Sequence, residues 1–161
     1  MDPRTDSRVA ELLATAHRAV AAEAPMGAET VVVRVMGNAL AFNYQLKVVD
    51  GWGGDGGAMY MPAEAAAAVK ELRRVMYQPG RGTWCSIEVV FHRGGKEPEV
   101  SVNYDENPGW KPELHPTSFS RDQELFPRAD EHIPAWLREL IDEGAELERQ
   151  HFAESAGDEQ R

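Results

Sequence analysis

Glu29-Thr30-Val31-Val32-Val33-Arg34-Val35-Met36-Gly37-Asn38-Ala39-Leu40-Ala41-Phe42-Asn43-Tyr44-Gln45-Leu46-Lys47-Val48-Val49 is the stretch that decides the fold. Its second half alternates strictly. Leu40, Phe42, Tyr44, Leu46 and Val48 fall on one face and Ala41, Asn43, Gln45 and Lys47 on the other, the period of a strand with one wet side. The valine-rich first half is a second strand, and Gly37-Asn38 between them offers the positive φ angles of a tight hairpin turn. An antiparallel pair with one apolar face needs helices to cover that face, which predicts an α+β layer.

Working outward, Val9, Leu12, Leu13, Ala16 and Val20 make one stripe of a helix between Thr5 and Ala24. Thr5, Asp6 and Ser7 are competent N-caps, and Pro25 with Gly27 stops the run. Past a glycine-rich connection, Pro62 opens a second helix whose stripe is Ala65, Ala68, Val69, Leu72, Val75 and Met76, ended by Pro79-Gly80. A second hairpin follows. Cys85, Ile87, Val89 and Phe91 share a face, Arg93-Gly94-Gly95-Lys96 turns the chain, and Val100, Val102 and Tyr104 return. Residues 105–128 hold four prolines and no sustained period, which reads as a long ordered loop. A last helix starts near Ile133-Pro134, buries Ile133, Leu137, Leu140, Ile141 and Leu147, weakens at Gly144 and frays into a flexible acidic tail at about 154–161. The sum is one domain over 1–161: a four-stranded antiparallel sheet with helices on one face, in the order α-β-β-α-β-β-α.

Val102-Asn103-Tyr104-Asp105-Glu106, then Asn107-Pro108-Gly109-Trp110, then Phe126-Pro127-Arg128 and Ile133-Pro134-Ala135-Trp136-Leu137, carry a family likeness. From Lys70 to Leu140 the chain resembles the YezG-like (DUF600-type) immunity proteins of bacterial polymorphic toxin systems. There a β-hairpin ending in a V-x-Y-D-like stretch leads through a Pro- and Trp-bearing loop to a carboxy-terminal helix. The resemblance implies a small, acidic, cytoplasmic and non-catalytic α+β protein that occludes the active site of a cognate toxin. That toxin would be a nuclease, a deaminase or an NAD-consuming enzyme.

Composition is compatible with such a role. The net charge of −10 repels phosphate backbones and anionic membranes and favours a basic protein partner, though many acidic proteins are so only for solubility. No apolar run approaches the roughly 18 residues needed to cross a bilayer, and Asp2 and Asp6 interrupt any leader-like start. A single cysteine allows neither an internal disulfide nor a cysteine-rich zinc site.

Candidate chemistry is sparse. Gly51-Trp52-Gly53-Gly54-Asp55-Gly56 matches G-x-G-x-x-G, but the strand before it alternates and Asp50 and Asp55 would repel a pyrophosphate, so no dinucleotide cofactor is expected. Cys85 lacks a base on its own strand face, since His92 falls on the opposite one, and it reads as a buried structural thiol. His17, His92, His115, His132 and His151 show no metal-ligand spacing. What remains suits a protein interface: Trp52 and Asp55 in the glycine-rich loop, and Asp105, Glu106 and Trp110 after the second hairpin, combine exposed aromatic rings with carboxylates for docking on arginine or lysine. Two other readings stand beside this one. One is a small enzyme using carboxylates as general acid and base; the other is a ligand-binding or scaffold domain, homodimeric through an outer sheet face bearing Val32, Trp84 and Val90.

Overall fold

A computed structural model of the chain describes residues 6–159; Thr5 and the tail residues 160 and 161 lie outside them. The elements are α1 (Ser7–Glu23), β1 (Ala28–Gly37), β2 (Phe42–Asp50), α2 (Ala63–Val75), β3 (Ser86–His92), β4 (Glu99–Asn103), α3 (Thr117–Leu125) and α4 (Ala135–Glu159). The four strands are antiparallel in the order β2-β1-β3-β4. This is the α+β arrangement expected, with one helix more than the sequence reading.

Val31, Val33 and Val35 of β1 meet Val48, Leu46 and Tyr44 on one side and Phe91, Val89 and Ile87 on the other. Alternation puts these side chains on one face, where Val9, Leu12, Ala16 and Val20 of α1 and Ala65, Ala68, Val69 and Leu72 of α2 close the core. Small residues let α2 lie close, as its alanine run requires. Asp6 caps α1, its Oδ1 accepting from Arg8 N at 2.7 Å, a contact worth about 1 kcal/mol. The opposite sheet face is mostly wet. Arg34, Gln45, Lys47, Glu88, Glu99 and Ser101 are exposed there, and Val32, Val49 and Val90 are half-buried.

Four expectations are corrected. Gly37 stays in β1, paired with Phe42, and among the described residues none other than glycine has positive φ. The turn is the longer 38–41 segment, held by Asn38 N donating to Ala41 O and Leu40 N to Asn38 Oδ1, which leaves Leu40 exposed instead of on the core face. Gly37 is needed for room: a Cβ there would sit 2.8 Å from Phe42 and 3.0 Å from Trp84. Trp84 itself is fully buried, because β3 begins only at Ser86 and the segment before it crosses the end of the sheet free of strand parity. The 105–128 loop contains α3, whose buried face is Ser118, Phe119 and Ser120, too polar to register as a stripe.

The fourth concerns Gly144, which does not weaken α4. The helix runs on through 154–159, where fraying was expected, and Gly144 is buried where α4 crosses the start of α3. A Cβ at that point would stand 2.3 Å from Pro116 O. Around the crossing, Phe119, Leu137 and Ile141 form a second small core flanked by Trp110, Leu114, Ile133, Trp136 and Leu140.

Candidate functional site

Strand directions give the sheet two distinct ends. One gathers the start of β1, the end of β2 and the β3–β4 turn; the other gathers the end of β1, the start of β3, the end of β4 and the α3–α4 unit. β1 has ten residues, so the ends are about 30 Å apart at ~3.3 Å per residue. Trp52 and Asp55 lie at the first end, while Asp105, Glu106 and Trp110 lie at the second. The fold therefore does not unite the five expected interface residues in one patch.

At the first end the glycine-rich loop closes on itself. Asp50 Oδ1 accepts from Trp52 N (2.8 Å) and Gly54 N (2.9 Å), and Asp55 Oδ1 accepts from Gly57 N (2.9 Å). Gly56 N donates to Val48 O, folding the loop back along the free edge of β2. Backbone N–H groups that a dinucleotide fingerprint would offer to phosphate are thus held by carboxylates. Trp52 is 98% exposed, and Met26 and Tyr60 are as open.

The second end is built around polar anchors. Asn103 Oδ1 accepts from the backbone N–H of Asp105 (3.2 Å) and Glu106 (2.8 Å), and its Nδ2 donates to Glu106 O and Ser86 Oγ, so the turn after β4 is pinned. Asp105 O accepts from Trp136 Nε1 at 2.8 Å, fixing the start of α4 to this turn. The Asp105 carboxylate faces Arg128 at 3.4 Å and Arg81 at 3.9 Å. Glu106 is exposed with no ion pair among the described residues. Trp110 is half-buried against the small core, so it is first a packing residue.

Two buried arginines join this unit to the sheet, and sequence reasoning missed both. Arg128 donates to Thr83 O, Tyr104 O and His132 O. Arg73 donates to Trp84 O at 2.9 Å and makes a two-pronged pair with Asp122 of α3 at 2.6 and 3.0 Å. Pairing and hydrogen bonding are what make such burial tolerable. Cys85 Sγ donates to Tyr104 O beside Arg128, and burial pushes its thiol up to about 11, which keeps it protonated and a poor nucleophile near neutral pH. His92 sits at the far end of β3 from it, against Glu99. Among the described residues no three of His, Cys, Asp and Glu gather to hold a metal ion.

The charge is as unevenly placed as the anchors. Residues 105–161 carry 15 acidic against 6 basic side chains, a net −9, while residues 1–104 carry 12 against 11. Glu139, Asp142, Glu143, Glu146 and Glu154 stand exposed on α4. Arg138 answers Asp130 and Asp142, and Arg149 answers Glu146, which leaves Glu106, Glu139, Glu143 and Glu154 without an ion pair among the described residues. This asymmetry is legible by counting along the chain and is the signal that separates the two ends. No described helix is long and apolar enough to cross a membrane. Neither a model of a known protein family nor a curated protein matches the chain.

Proposed function

We propose that the chain is an immunity protein, non-catalytic and cytoplasmic, which binds a basic cognate toxin domain through its acidic carboxy-terminal unit and occludes the toxin's active site. The observation that carries this reading is the concentration of net −9 in residues 105–161, part of it on the pinned turn after β4 and on α4. Carboxylates held in place and left unpaired steer and orient a cationic partner at little cost in ordering. The likeness of residues 70–140 to YezG-like proteins points the same way.

Of the residues first proposed for the interface, Glu106 is the one with a free carboxylate at this end, and Glu139 and Glu143 on α4 are likewise exposed and unpaired among the described residues. Trp52 and Asp55 would require a partner that reaches the far end of the sheet. The test is co-expression with the protein encoded by the adjacent gene, scored by growth rescue and co-purification. Rescue with a one-to-one complex that weakens in Glu106→Lys/Glu143→Lys is the expected result. Absence of both rescue and complex would overturn the immunity reading, and a complex indifferent to that double reversal would move the interface elsewhere.

A further inference from the structure

We infer that the cavity under the carboxy-terminal end of α1 binds a small amphipathic anion, an apolar body with one carboxylate or phosphate head. The cavity measures about 550 Å³, within the range of small-molecule sites. Its floor is Val20, Val31 and Phe91, and Pro25 and the fully exposed Met26 stand at its mouth. Arg18 and Arg93 line it, opposed by Glu29, its one carboxylate. In a chain of net −10 this is a local reversal of sign beside an apolar wall.

The rim is prepared for a ligand. His17 is fixed against Phe91 (ring centroids 5.3 Å apart), its Nε2 donating to His92 O at 3.2 Å. Arg93 is placed by its backbone N–H, which donates to Glu29 O at 2.9 Å, and its guanidinium has no protein partner among the described residues. Arg18 spends one nitrogen on Thr15 Oγ1. The last carbonyls of α1 carry partial negative charge, which repels an anionic head. The head therefore lies toward the turn Arg93-Gly94-Gly95, and the apolar body lies along Val20, Val31 and Phe91. This site is at the end of the sheet remote from Asp105 and Glu106, so it stands or falls apart from the toxin-binding reading.

The probe is anilinonaphthalene sulfonate, compared with N-phenyl-1-naphthylamine, which has the same body without the sulfonate. Fluorescence titration should give one sulfonate per chain. Affinity should be about tenfold lower for the uncharged analogue and about tenfold lower for the sulfonate in Arg93→Glu, roughly the worth of one well-placed charged contact. Glu106→Lys should leave it unchanged. Amide resonances of Gly94 and Gly95 should shift on binding, and octanoate or octyl phosphate should displace the probe, the stronger competitor naming the head group. Equal binding of charged and uncharged probes, indifference to Arg93→Glu, displacement by neither competitor, or no binding at all would each overturn the inference.

Discussion

Replacing Gly144 with alanine sets two effects of known size against each other. Alanine gains about 1 kcal/mol over glycine inside a helix, so a helix judged by propensity alone would be stabilised. At this crossing, however, the new Cβ would meet Pro116 O at 2.3 Å, Pro116 C at 2.7 Å and Ser120 Oγ at 2.8 Å. Two of these are backbone atoms, which cannot rotate away. Relief to ordinary contact requires α4 and α3 to part by about 1 Å, which forfeits a quarter to a half of the dispersion attraction across the seam. Overpacking of this kind costs about 1–3 kcal/mol, and separating Phe119 from Leu137 and Ile141 puts the cost at the upper end. The net expectation for Gly144→Ala is a loss of about 1–2 kcal/mol, a fall in Tm of roughly 3–6 °C for a chain of this size. Gly157→Ala is the internal control: it lies on the same helix with nothing within 4 Å of its would-be Cβ, and should be neutral or stabilise by a few tenths of a kcal/mol. Urea and thermal unfolding of both variants decide the matter. A Gly144→Ala protein as stable as Gly157→Ala would refute the close crossing.

The turn after β4 allows a second comparison. Asp105→Lys should cost about 1–2 kcal/mol, because it sets a cation against buried Arg128; the loss is below that of a fully buried pair since Asp105 is 58% exposed. Glu106→Lys should leave Tm unchanged, and equal melting of the two variants would deny Arg128 its partner. Cys85 supplies a pH dependence. Its thiol titrates near 11 when folded against 9.0 for the free side chain, so its protonated form favours the native state below pH 9 and that preference is lost as pH rises toward 11. Stability of the wild type relative to Cys85→Ala should fall by about 2–3 kcal/mol over that interval; a difference independent of pH would place the thiol in contact with water.

The sheet was legible because its signal is local. Alternation from Phe42 to Val48 and from Ile87 to Phe91, with glycine-rich turns between, specifies pairing without knowledge of the rest of the chain. α3 was not, since its packing face is two serines and one phenylalanine, chosen by the closeness of α4 and not by any period. Trp84 was misplaced for a related reason: parity arguments hold only inside a strand, and it precedes one. Of the five residues expected at an interface, Trp52, Asp55, Asp105 and Glu106 are exposed and Trp110 is half-buried, but adjacency in the fold is a long-range property. Trp52 and Glu106 differ by the length of β1, and no spacing in the sequence records that. The buried arginines were invisible because Arg73 falls on the packed face of α2 only once Asp122 and Trp84 O are brought to it.

Those arginines explain how a unit with net −9 stays attached to a nearly neutral body. An acidic segment repels itself, and among the described residues the second core has three buried apolar side chains, Phe119, Leu137 and Ile141, to resist that repulsion. Arg73 and Arg128 are two of its neighbours of opposite sign. Each is buried, each donates to backbone carbonyls of the β3–β4 end, and each faces a carboxylate from the acidic segment, Asp122 or Asp105. Attraction is thus spent inside, at two fixed points, while Glu106, Glu139 and Glu143 are left outside without a counter-charge. Under the proposed function these are the carboxylates that a cationic partner would meet. Under the proposed function, the close crossing at Gly144 and the unpaired charge on α4 act together, and removing either should weaken toxin binding without removing the other.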